Sequence, residues 1–153
     1  MLIQNIISYD DFLNYTKNYK HIFINISANW CKPCNEIKPL IEKFVSVINE
    51  NNAIYLKLNH SVYEEDDLFN SFFQMKKIPY FGYIKDGVLI YSFISGDFSF
   101  VSKKIFNTIS SIKSEINNEI YNKTNNETNN ETNIETNNET NIETNKLDTT
   151  SNF

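Results

Sequence analysis

The segment His21-Ile22-Phe23-Ile24-Asn25-Ile26 constrains this chain more than any other: it is apolar and largely β-branched, broken by one polar side chain. Such a run reads as a strand buried on both faces, and a strand of that kind needs helices on either side of its sheet. Those helices are legible. After Cys34, the residues Ile37, Leu40, Ile41, Phe44, Val45 and Ile48 recur at the spacing of an amphipathic helix. Val101, Ile105, Ile109, Ile112, Ile116 and Ile120 mark a second. Asp10 or Asp11 is the expected N-cap of a short helix carrying Phe12, Tyr15 and Tyr19. The acidic run Glu64-Glu65-Asp66-Asp67 precedes Leu68, Phe69, Phe72 and Phe73, where negative charge favours a helix N-terminus. Further strands are expected at Ala53–Leu58, Tyr80–Ile84 and Val88–Ile94, the last two joined by Asp86-Gly87, whose positive φ angles suit a tight hairpin. Strand, helix, strand, helix, strand, helix, strand, strand, helix is the pattern of an α/β domain with a mixed five-stranded sheet and four helices on its two faces.

That domain is expected to fill residues 1–120. Of the 22 aromatic residues, 21 precede position 122. From Thr124 the chain repeats a tetrapeptide, Thr-Asn-(Asn or Ile)-Glu, and after Tyr121 its only apolar residues are Ile134, Ile142, Leu147 and Phe153. So little apolar surface does not offset an ordering cost of about 1–2 kcal/mol per residue, so 121–153 is expected to be a disordered, solvated tail. The triplets at Asn122, Asn126, Asn130 and Asn138, and Asn25-Ile26-Ser27, match glycosylation acceptors, a pattern that abundant Asn produces by chance. Residues 1–120 carry 12 Lys against 13 acids, and 121–153 carry 2 against 6. A nearly neutral domain with an acidic tail does not attract nucleic acid or anionic lipid. No apolar stretch is long enough to span a bilayer, and Met1 to Ile7 lacks the basic n-region of a signal peptide. With only two cysteines, a reducing, cytoplasmic setting is expected.

The two cysteines carry the chemistry. Trp30-Cys31-Lys32-Pro33-Cys34 lies between the buried strand and the helix. A free thiol has a pKa of about 8.5, so only about 3% is thiolate at pH 7. A helix N-terminus favours the anion through its unpaired N–H groups and dipole. Cys31, at the mouth of the helix, is then the expected nucleophile, and Cys34, one turn in, the resolving thiol. Pro33 fixes one backbone angle between them. The same spacing is half a zinc site, but the chain has no second pair, and His21 and His60 fall on separate elements, so no metal is expected.

Over residues 1–120 the chain resembles the thioredoxin family. The resemblance rests on Trp30-Cys31-Lys32-Pro33-Cys34, on Pro39 five residues after Cys34, on Lys57-Leu58-Asn59 closing the third strand, and on Ile78-Pro79 before the hairpin. It implies a thioredoxin fold and a thiol–disulfide oxidoreductase that reduces protein disulfides through Cys31 and Cys34, with no cofactor beyond that redox-active pair. It also implies that Trp30 lines a groove, and that Pro79 is a cis-proline which keeps metal from the dithiol. The Ile78 backbone would pair with an extended client segment. The implied partners are disulfide-containing client proteins and a reductase or other thiol donor, with the protein acting as a monomer. A binding module of the same fold without turnover is the alternative from another class, and an oxidase or isomerase the alternative direction.

Three departures from the family stand out. Asn25 occupies the place of a buried Asp that exchanges protons with the resolving cysteine, so the proton-relay position is lost and slower release of the mixed disulfide is expected. Lys32 replaces a Gly; a cation beside Cys31 favours its thiolate and raises the oxidising power of the disulfide, unless the side chain is simply solvated. Extra residues before the third helix, together with Tyr80 after the proline, are expected to alter the groove rim. Lys57, His21 and His60 are expected to be solvated residues at strand ends.

Overall fold

The computed structural model describes the backbone of residues 1–144, with side chains through Asn125. The chain runs β1 (Leu2–Ile6), α1 (Tyr9–Asn18), β2 (His21–Ser27), α2 (Lys32–Ser46), β3 (Ala53–Asn59), α3 (His60–Glu64), α4 (Asp67–Phe73), β4 (Tyr80–Lys85), β5 (Val88–Ile94) and α5 (Phe98–Thr144). Contacts divide it into two units, Met1–Ile109 and Ser110–Phe153.

The first unit holds one five-stranded mixed sheet in the order β1-β3-β2-β4-β5. β2 lies at its centre, parallel to β3 and antiparallel to β4. Ile22, Ile24 and Ile26 face one side, where they meet Ile54, Leu56 and Leu58 from β3, Phe12 from α1, Tyr63 from α3 and Phe69 and Phe73 from α4. The opposite face carries Phe23, Tyr55, Phe81, Tyr91 and Phe93, which with Ile105 of α5 enclose a small apolar cavity. Both faces of β2 are therefore covered, as its unbroken apolar run requires. Asp86 and Gly87 have φ of 50° and 76° and make the expected hairpin turn between β4 and β5.

Four details differ from the sequence expectation. α1 is capped by Ser8, whose hydroxyl accepts from the Asp11 N–H, while Asp11 reaches back to accept from the Ile7 N–H; Asp10 and Asp11 lie inside the first turn. The expected third helix is two, because Asn59 caps one turn at His60 and Asp66 caps the next helix by accepting from the Leu68 N–H. Five helices thus occur among the described residues, against four expected. His21 is buried, its Nδ1 2.8 Å from the Tyr83 hydroxyl, which satisfies the ring inside the sheet. Tyr80 is buried too, packed on Phe73 with its hydroxyl donating to the Phe73 carbonyl, so it belongs to the α4 side of the core and not to a groove rim.

Helix α5 is one continuous element of 47 residues. Val101, Ile105, Ile109 and Ile112 are buried along it, whereas Ile120 and Tyr121 are exposed. The backbone stays helical through the tetrapeptide repeat to Thr144, where the sequence alone predicts no order. Propagation from a formed helix needs only one more bond per residue fixed, and that extends a helix beyond its apolar stripe. Nothing in the composition of 121–144 adds burial to hold it. The side chains of Asn126, Asn130, Asn138, Ile134 and Ile142 fall outside the described ones, as do Leu147 and Phe153 entirely. Asn25 is 4% exposed, which closes the Asn25-Ile26-Ser27 triplet to glycosylation in the folded chain. Among the described residues no helix is long and apolar enough to cross a membrane.

Candidate active site

The strand β2 ends at Ser27, a short loop carries Ala28, Asn29 and Trp30, and α2 begins at Lys32. Cys31 is the N-cap of that helix, and its Sγ accepts the Cys34 backbone N–H at 3.3 Å. One otherwise unpaired donor of the first turn is thereby pointed at sulfur, an arrangement that favours negative charge there. Pro33 lies in the first turn, where its missing N–H costs nothing. The two sulfurs are bonded, across a Cα–Cα separation of 5.2 Å. Cys34 is 1% exposed and Cys31 5%, so Cys31 keeps the greater access to solvent.

Around the pair the structure brings together most of the residues singled out in the sequence. Ala28 is buried in one cluster with the two cysteines, and the partly buried Ile78 packs against that cluster. The Ile78-Pro79 peptide is cis. Trp30 is 74% exposed, which rules out a core-filling role and leaves its indole at the surface beside Cys31. Asn25 donates from Nδ2 to the Tyr80 carbonyl at 3.1 Å, tying β2 to the residue that follows Pro79. Pro39 sits inside α2. Lys32 is well exposed and its Nζ lies 3.8 Å from Glu36 Oε1, one turn along the helix.

Three residues at or near the site were not anticipated. Gly96 approaches the first turn of α2 so closely that a Cβ there would stand 3.2 Å from the Pro33 Cβ, a contact tight enough that one of the two would have to shift by a few tenths of an ångström. His60 meets the Trp30 indole edge to face at 5.5 Å. Glu42 lies 3.0 Å from the Lys57 Nζ, both side chains being less than one-third exposed, so Lys57 is taken up by α2 and not solvated as expected. The buried Glu42 Oε1 has no aligned hydrogen-bond donor, which leaves charge attraction as the tie between them. None of the three has a local sequence signal: each contact joins segments far apart in the chain. Among the described residues, no group of three or more His, Cys, Asp or Glu side chains is placed to hold a metal.

A dithiol closing into a disulfide at a helix N-terminus, flanked by a cis-proline and an exposed tryptophan, is equipped for two-electron exchange with other disulfides. Known proteins agree. The thioredoxin family model matches residues 4–111. A thioredoxin of Coprinus comatus is 33% identical over 86 residues, covering 56% of this chain and 78% of the relative. Thioredoxin H9 of Arabidopsis thaliana is 30% identical over 106 residues, 69% of this chain and 72% of the relative. The crystal structure of a Malassezia sympodialis thioredoxin superposes with a TM-score of 0.60 at 26% identity, covering 70% of this chain and 93% of that one. The chain belongs to the thioredoxin family and is a thiol–disulfide oxidoreductase of the disulfide-reductase kind.

Proposed function

We propose that Cys31 is the attacking thiol, Cys34 the resolving one, and disulfides within client proteins the substrates. The observation that carries this reading is the cap geometry, in which the Cys31 Sγ accepts the Cys34 N–H at the mouth of α2 while Cys34 lies deeper. In the reduced protein the Cys31 thiolate attacks one client sulfur. The client S–S bond breaks, a Cys31–client disulfide forms, and the departing client thiolate takes a proton. Cys34 then loses its proton and attacks the Cys31 sulfur, releasing the second client thiol and closing Cys31–Cys34. Two electrons and two protons pass to the client, and an external thiol donor such as a reductase returns the pair to the dithiol. No metal or organic group enters these steps.

Trp30 and the Ile78-Pro79 segment flank the sulfurs and form the groove, with the Ile78 backbone offered to an extended client strand. The catalytic domain ends near residue 120, where burial along α5 has faded, and the acidic repeat beyond it takes no part in turnover. The protein acts as a monomer in a reducing, cytoplasmic compartment. Insulin reduction by the purified protein tests the assignment: turnover is expected for the wild type and none for Cys31→Ser. Cys34→Ser is expected to accumulate a client-linked species that dithiothreitol releases. Undiminished turnover in Cys31→Ser would sink the reading.

A further inference from the structure

Tryptophan occurs once in this chain, and its side chain stands 74% exposed beside the bonded cysteines. A ring so open to solvent is not fixed by burial, so a neighbour has to hold it. That neighbour is His60, whose imidazole crosses the indole at 81° with centroids 5.5 Å apart. His60 is braced in turn. Its Nδ1 lies 3.2 Å from Glu64 Oε2, one turn along α3, and only 18% of its side chain is exposed. Its ring lies 6.2 Å from that of Tyr63, whose hydroxyl donates to Asn70 Oδ1 and accepts the Met75 N–H. The ring therefore stands on α3 and, through Tyr63, on α4 and the segment leading to Ile78.

A carboxylate only accepts, so the Nδ1 that faces Glu64 is the nitrogen that donates, and that bond fixes the plane of the ring that meets Trp30. Glu64 is the carboxylate that faces the imidazole.

We propose that His60 is a positioning residue for the client groove. It holds Trp30 in an edge-to-face contact, and with that hold in place protein disulfides find the indole already oriented beside the sulfurs. This rests on the reading that clients dock beside Trp30, and the test keeps the two apart. In the oxidised protein neither cysteine titrates, so the fluorescence of the single tryptophan reports on its surroundings without interference from thiols. Its anisotropy should fall in His60→Ala and stay near the wild-type value in His60→Phe, which keeps an aromatic ring at that place.

In the reduced protein, the KM for a disulfide peptide, relative to that for a small uncharged disulfide, should rise about three- to tenfold in His60→Ala. The ratio should stay within about twofold of wild type in His60→Phe, which restores the ring contact. An unchanged anisotropy in His60→Ala overturns the proposal, and so does an unchanged KM ratio in that variant. Absence of turnover by the wild type on either disulfide would overturn the reductase reading instead, leaving the fluorescence arm to decide on His60.

Discussion

Asn25 does with its amide what an ionised carboxylate could not: it donates to the Tyr80 carbonyl from a position 4% exposed. Asn25 is thus a strut to the cis-proline segment, at lower desolvation cost than a buried charge. In Asn25→Asp the carboxyl would have to stay protonated to keep that bond, so burial and the facing carbonyl would hold its pKa above the usual carboxylate value. A folded-state pKa raised in this way gives stability that is present at low pH and lost as pH rises through it. The urea midpoint of the variant should therefore fall between pH 5 and 8, by the equivalent of about 1–3 kcal/mol. Turnover of a small disulfide should rise, since a proton acceptor is restored; an unchanged or slower rate would remove the relay from the account. Lys32 bears on sulfur less than its sequence position suggests. Its ammonium leans toward Glu36 and is almost wholly solvated, so Lys32→Gly should move the reduction potential by less than about 30 mV, measured against glutathione.

Helix α1 is short, and its anchor is one ring. Phe12 is fully buried and lies within 6.0 Å, centroid to centroid, of Phe69, Phe72 and Phe73 of α4. Removing it leaves a hole that these three rings line but cannot fill. Phe12→Ala should cost about 3–5 kcal/mol in urea unfolding, with the redox activity of the surviving folded fraction retained. A loss below about 1 kcal/mol would show that α1 collapses freely onto α4. Elements of this kind were legible because they write their periodicity locally. The β2 run, the α2 stripe, the Asp86-Gly87 turn and the cysteine spacing all need only a few neighbouring residues. What escaped depends on partners distant in sequence. His21 is buried because Tyr83 accepts or donates across the sheet, 62 residues on. Tyr80 turns inward because Phe73 offers a face and a carbonyl, and His60 matters only because β3 delivers it to Trp30. The break between α3 and α4 was hidden because its acidic run also reads as one cap, when Asp66 alone accepts from the helix.

At the scale of the whole sheet, the two faces differ in kind. The face toward α1, α3 and α4 is packed mostly with aliphatic and phenylalanine side chains, with Tyr63 and Tyr80 among them. The other is lined chiefly by aromatic rings, Tyr55 and Tyr91 included. Burial holds the Tyr55 hydroxyl far above its usual range, with the charge of Glu42 adding to it, and burial raises Tyr80 and Tyr91 as well. These groups keep their protons in the folded chain when the unfolded chain loses them at about pH 10. Their contribution is complete below that pH and drains away as pH climbs beyond it. The urea midpoint should drop between pH 9 and 11, and the drop should be smaller in Tyr55→Phe; equal drops would place the alkaline weakness elsewhere. The bonded pair at the helix mouth has its own consequence at this scale. Cys31 and Cys34 stand 5.2 Å apart at Cα, a spacing one turn of α-helix already supplies and a disulfide already accepts. Electrons can come and go without asking the scaffold to change shape, so whatever tells the filled state from the empty one must read the sulfurs themselves.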